Sequence, residues 1–252
     1  MATSLDNHYL SVPIGADATG APVLVDLTEH TLVVGSPGSG VGNTIQGLIR
    51  GVADKPYVEL LGIDPYFDLA PWKPRFSSIA KTDQDAVTML GNLEARFEAR
   101  ATMLARTSSK RIGFASMLPT DEVPFIVVVT PELGMLPAEA QQMANHLVAR
   151  GRFAGIFFIV GGMQAIAENP LLRNLIGNRI AHALRTEAAT RRVFGEPAGR
   201  VEPHLLDPIQ DRGVGYLDTV GGTSRFTAPH IDHIAAQAFA VMTRPLIPKS
   251  LM

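Results

Sequence analysis

The chain has 252 residues, enough for one large α/β domain with a full core or for two small ones. Its 22 Lys and Arg are balanced by 24 Asp and Glu, and a net charge of −2 excludes a global field that would draw it onto nucleic acid, so any DNA contact must be local. There is no cysteine, which excludes disulfides and thiolate-bound metals.

Residues 10–27, LSVPIGADATGAPVLVDL, read as two short strands around a turn, an N-terminal β-hairpin. Thr31 to Val34 is an apolar run that feeds the glycine cluster Gly35 to Gly42, and Ile45, Leu48, Ile49 and Val52 then repeat at helical spacing. Val58 to Ile63 is a second buried strand, ending at Asp64-Pro65. A long helix is predicted from about Asp83 to Arg106, followed by a polar surface excursion from Ser108 to Val123. Phe125 to Thr130 returns to strand composition, Pro137 opens a helix that runs to about Arg150, and Ile156 to Val160 and Ile180 to Leu184 complete the apolar strands. The tail from Thr223 holds a short strand and a helix around Ile231 to Met242.

Strands without alternation, separated by helices, predict an α/β fold with a mainly parallel sheet covered by helices on both faces. One domain is expected over 1–252, with the hairpin in 1–28, the core in 29–222 and a C-terminal strand, helix and tail in 223–252. None of the apolar runs approaches the length that spans a bilayer, and MATSLDNHYL lacks the signature of a signal peptide, so a cytoplasmic protein is expected. Two arginine clusters offer local basic patches: Arg100, Arg106, Lys110 and Arg111, and then Arg173, Arg179, Arg185, Arg191 and Arg192.

The stretch His30 to Thr44, HTLVVGSPGSGVGNT, carries the chemistry. A strand, a glycine-rich loop and a helix in succession are the context of a phosphate-binding loop, in which glycines let several backbone N–H groups converge on one anion. On the template G-x-x-x-x-G-K-[ST], the glycines fall on Gly35 and Gly40, Val41 takes the lysine position and Gly42 the Ser/Thr position. Candidate nucleotide contacts are therefore Gly35, Ser36, Pro37, Gly38, Ser39, Gly40, Val41, Gly42, Asn43 and Thr44, with the Thr44 hydroxyl a late substitute for the missing one. The acidic strand end expected opposite such a loop is PFIVVVTPEL, where Pro131 stands for the metal-orienting aspartate and Glu132 for the water-orienting glutamate. HIDH, His230 to His233, reads as a helix start rather than a metal site, and Trp72 as loop packing.

These pieces, in this order over about 220 residues, resemble the FtsK/SpoIIIE-type motor ATPases, which include DNA translocases, plasmid-transfer motors and type VII secretion ATPases. LLGIDP resembles the family's second strand, and PFIVVVTPEL sits at its Walker B strand. ARGRFAGIFFIVGGMQ is similar to its Gly-Arg-x-x-Gly stretch and sensor strand, with Met163 in place of threonine and Gln164 keeping the amide. NRIAHALRTEAATRRVFG and DRGVGYL are similar to its Arg-Ile-Ala strand and its Gly-Arg-Gly hairpin.

The resemblance implies a RecA-like P-loop fold, ATP with Mg²⁺ and a homo- or hetero-oligomeric ring of FtsK-like subunits; double-stranded DNA is a candidate partner, and partners are candidates to hold the chain at the inner face of the membrane. It implies catalytic roles for Glu132 and Gln164, and makes Arg152, Arg179 and Arg191 candidates for the arginine given to a neighbouring subunit. The departures at Val41, Gly42, Pro131 and Met163 all fall where nucleotide is processed, so weak or absent nucleotide affinity and little hydrolysis are expected. Three readings stand: a hydrolysis-deficient motor subunit, an active translocase in which Asn43 and Thr44 replace the usual pair, and a scaffold that binds protein through the cleft.

Overall fold

In the computed structural model, residues 10–113, 117–162, 174–195 and 201–243 are described. They form ten strands: β1 (Ser11–Ala16), β2 (Pro22–Asp26), β3 (Thr31–Val34), β4 (Val58–Ile63), β5 (Ser78–Ala80), β6 (Phe125–Thr130), β7 (Ile156–Gly162), β8 (Asn178–Ala181), β9 (Val214–Thr219) and β10 (Gly222–Thr227). The helices are α1 (Val41–Ala53), α2 (Asp83–Thr107), α3 (Ala138–Arg150), α4 (Glu187–Phe194) and α5 (His233–Met242). All ten strands join one sheet in the order β2-β1-β10-β9-β8-β3-β7-β6-β4-β5. Pairing from β8 through β5 is parallel, whereas β9, β10, β1 and β2 pair antiparallel.

Every residue of β3, β4, β6 and β7 is buried, as a sheet covered on both faces requires. Because side chains alternate across the sheet, each strand feeds two cores. Val33, Val127, Val129 and Ile159 face one core with Ile45, Leu48, Ile49 and Val52 of α1 and Ala236 and Ala240 of α5. Leu32, Val34, Val128 and Val160 face the other, with Leu90, Leu93 and Phe97 of α2, Ala144 and Leu147 of α3, and Val193 of α4. Trp72 lies in a 3-10 helix, Ala70–Arg75, fully buried and edge-on to Phe239 of α5, so its packing role holds.

The strand predicted at Ile180 to Leu184 runs instead over Asn178–Ala181. Its pairing with β3 ends at Val34↔Ala181, where β3 itself ends. Ala183 and Leu184 are still buried but turn away, the Ala183 carbonyl accepting from Ser36 N–H and the Leu184 N–H bonding Pro203. The basic clusters are also less available than their composition suggests. Arg100 is buried and donates to the carbonyls of Ala154 (2.8 Å) and Pro124 (2.6 Å), holding α2 to the β6 and β7 ends. Among the described residues no helix is long and apolar enough to cross a membrane.

Candidate functional site: the phosphate loop and its cleft

β3 is the second of the six parallel strands, between β8 and β7. The carboxyl ends of β3, β6 and β7 therefore open on one edge, where open α/β sheets bind ligands. A cleft of about 540 Å³ sits there, lined by the loop (Gly35, Ser36, Pro37, Gly38, Gly40, Val41, Gly42, Asn43), by Ile45 and Gln46, by Pro131 and Glu132, by Gly162, and by Asp68, Leu69, Arg212, His230, Ile231 and His233. The sequence brought eight of its ten loop candidates to this cleft.

The loop has the shape that an anion cradle needs. Gly38 (φ 83°) and Gly40 (φ 121°) adopt backbone conformations that side chains disfavour, and a Cβ on Gly40 would lie 3.0 Å from the backbone of Gly213. Gly40 caps α1, and Thr44 N–H is the first to bond back into it, to Gly40 O at 2.9 Å. The preceding N–H groups of the helix start belong to Val41, Gly42 and Asn43, the donors that α-helical geometry leaves without an internal acceptor.

Ser39 and Thr44 turn elsewhere. The Ser39 hydroxyl donates to Ser36 O at 2.7 Å, and Ser39 O accepts from Gly213 N–H at 2.9 Å. Thr44 is buried, and its hydroxyl meets His182 Nε2 at 2.8 Å. His182 Nδ1 lies 2.8 Å from Val214 O; since a carbonyl only accepts, Nδ1 carries the proton and Nε2 accepts from Thr44. Thr44 is thus a link to β9, not a substitute hydroxyl for a metal. Asn43 is spent in the same way: its amide donates to Pro229 O (2.7 Å) and its Oδ1 accepts from Ile231 N–H (2.8 Å).

The remaining chemistry is uneven. Glu132 reaches the cleft from the end of β6, but the neighbouring Pro131 is buried and offers neither a carboxylate nor an N–H. Val41 packs its methyls against the core, and Gly42 faces open space. Asp64, at the end of β4, is committed to a turn, its carboxylate accepting from Asp68 N–H (3.0 Å) and Leu69 N–H (2.7 Å). Among the described residues, no group of three His, Asp or Glu converges as a metal site, and Asp232 of HIDH caps α5 by accepting from Ile234 and Ala235 N–H. The donor set fits phosphate oxygens, whereas the two positions that hold Mg²⁺ in a phosphate loop, Gly42 and Pro131, bring no side-chain oxygen. Met163 and Gln164 lie outside the described residues.

None of the three candidate arginines lines this cleft. Arg152 pairs with Glu29, Arg179 lies 3.7 Å from Asp218, and Arg191 pairs with Glu187 at 2.6 Å. The cation that does reach it is Arg212, whose Nε donates to Gly38 O at 2.9 Å. Sequence reasoning missed it as a site residue, although DRGVGYL already marked its hairpin.

A model described as the FtsK/SpoIIIE family matches residues 1–201. The chain belongs to that family. A DNA translocase FtsK of Staphylococcus aureus is 29% identical over 214 residues, which cover 75% of this chain and 27% of that protein. Among solved structures, the pCW3 conjugation coupling protein TcpA, as a monomer with ATPγS, superposes with a TM-score of 0.73 at 16% identity, covering 96% of this chain and 73% of that one. EccC (ATPases 2 and 3) of Thermomonospora curvata, in complex with a signal sequence peptide, gives 0.69 at 18% identity, covering 92% and 43%. The chain thus spans about a quarter of the matched translocase. Its fold is the RecA-like P-loop fold of these FtsK/SpoIIIE relatives, a family of ATPases that use ATP and Mg²⁺.

Two buried imidazoles brace the FtsK/SpoIIIE sheet and set its acid response. Burial holds both His182 and His30 down to about 4 from an ordinary 6.5, with Arg152 adding to the effect at His30 and the Val214 carbonyl opposing it at His182. Since the folded values are depressed, the unfolded chain takes up these protons first as pH falls. Stability from the neutral imidazoles is complete above about 6.5 and is lost toward 4, at up to ~1.4 kcal/mol per pH unit for each group. Urea midpoints measured from pH 7.5 to 4.5 are expected to fall in that window, and a His182→Gln variant should flatten the slope.

Proposed function

We propose that this chain is a hydrolysis-deficient FtsK/SpoIIIE-like subunit, a structural or regulatory member of an oligomeric DNA-translocation, DNA-transfer or secretion machine. One observation carries the reading: the anion cradle is kept, while Val41, Gly42 and Pro131 converge on it without an ammonium, a hydroxyl or a second carboxylate. Losing one preorganised charge-stabilising donor costs roughly 10²–10³ in rate, so losing several leaves hydrolysis at background. The rival in which Asn43 and Thr44 take over the lost roles has little support, because both side chains are bonded within the protein.

Residues 1–252 act as one FtsK-like domain in a ring with related subunits, on the cytoplasmic side, and other chains bring it to the membrane. Exposed apolar side chains on α5, among them Ile234, Val241 and Met242, are of the kind that subunit contacts cover. Arg152, Arg179 or Arg191 then serves a neighbour's site. Double-stranded DNA is the favoured cargo, by relation to the translocases. The test is phosphate release from Mg-ATP with double-stranded DNA present, for the wild type and Glu132→Gln. Both are expected at background; a wild-type rate that falls on Glu132→Gln would refute the proposal.

A further inference from the structure

The cleft lacks a loop lysine but not a positive charge. Arg212 enters from the segment just before β9, which the fold lays against the loop through two backbone contacts, Gly213 N–H to Ser39 O and the close approach of Gly213 to Gly40. Its Nε is fixed on Gly38 O, and among the described residues Gly38 is the only hydrogen-bond partner of its guanidinium. Nη1 and Nη2 thus keep their donors for a ligand in the cleft. A guanidinium differs from a lysine ammonium in presenting two parallel N–H groups that fit two phosphate oxygens at once.

We propose that Arg212 replaces the missing loop cation, so that the cleft captures the polyphosphate of a nucleoside triphosphate in its metal-free form. Two features of the site support the metal-free part. The positions that hold Mg²⁺ in a phosphate loop are Gly42 and Pro131, which carry no oxygen ligand in their side chains. Without the metal, ATP carries more negative charge, which strengthens its attraction to the Arg212 guanidinium and the backbone N–H groups of the loop. Glu132 and Asp68 also line the cleft, and like-charge repulsion keeps phosphates from settling beside them. Ile45, Leu69 and Ile231 also line the cleft and give it apolar surface on which a base can pack.

This inference rests on the reading of the cleft as a nucleotide site that has lost hydrolysis, and the test separates the two. Calorimetric titration of the full chain with ATP is performed in EDTA and again in excess Mg²⁺. Wild type is expected to bind in EDTA and at least several-fold more weakly with Mg²⁺. Arg212→Gln should lose tenfold or more in EDTA with an unchanged melting temperature, and Arg212→Lys should lose less. Wild-type affinity in Arg212→Gln, tighter binding with Mg²⁺, or no binding in either buffer would each overturn the proposal. Loss of melting temperature in Arg212→Gln without loss of affinity would assign Arg212 to loop bracing alone. All of these leave the hydrolysis-deficient reading standing, since only turnover of ATP removes that.

Discussion

Restoring three side chains, Val41→Lys, Gly42→Ser and Pro131→Asp, is expected to raise affinity for Mg-ATP by at least about 100-fold, since charge-assisted hydrogen bonds each contribute about 1.5–3 kcal/mol. The geometry permits each change. A Cβ on Gly42 meets nothing within 4 Å, so serine enters without displacement. Val41 is half-buried at the first turn of α1, where the aliphatic stem of a lysine can follow the valine onto the core and carry its ammonium out to the loop. Pro131 is buried at the end of β6, and aspartate there returns a carboxylate beside Glu132 and a backbone N–H. Gly42→Ser alone should change little, because a hydroxyl without the second carboxylate holds a metal poorly. Calorimetry of the triple variant with and without Mg²⁺ checks this. Unchanged affinity would mean that the backbone of the loop, not only its side chains, has left the phosphate-binding shape.

His182→Ala is expected to cost about 3–4 kcal/mol, a fall in melting temperature of roughly 10 °C. It removes a ring packed edge-on to Phe226 with centroids 5.8 Å apart, and it takes a partner from the buried Thr44 hydroxyl and from the half-buried Val214 carbonyl. The same imidazole joins α1 to β9, so its loss should also loosen the seat of Arg212. A double-mutant cycle with Thr44→Val separates the terms. Thr44→Val should destabilise the wild type by about 1 kcal/mol and the His182→Ala protein by much less, because the pair is one interaction. Additive losses would show that the two residues do not act together.

The fold was legible where the sequence pattern is local. β3, β6 and β7 are unbroken apolar runs, and α1 shows its buried stripe at Ile45, Leu48, Ile49 and Val52, so the strand-loop-helix at the centre of the sheet could be read directly. β5 could not, because three residues carry no periodicity and pair only at the sheet edge. The site divides in the same way. The glycines and Val41 were visible on a template, whereas the partners of Thr44 and Gly38 lie 138 and 174 residues away in sequence. Such pairings are set by how β8 packs beside β3 and the β9–β10 hairpin beside β8. Thr44 therefore looked like a spare metal ligand when it is a buried link, and Arg212 looked like part of a hairpin when it is the cation of the cleft.

The most direct measurement is the rate of phosphate release from ATP across a Mg²⁺ titration, at protein concentrations high enough for subunits to assemble and with double-stranded DNA present. A flat rate at background over the whole titration is expected, because no added metal can find the hydroxyl and carboxylate that Gly42 and Pro131 have displaced. A rate that rises with Mg²⁺ and saturates would contradict it, and would show that this loop hydrolyses ATP by means of groups other than those its relatives place there.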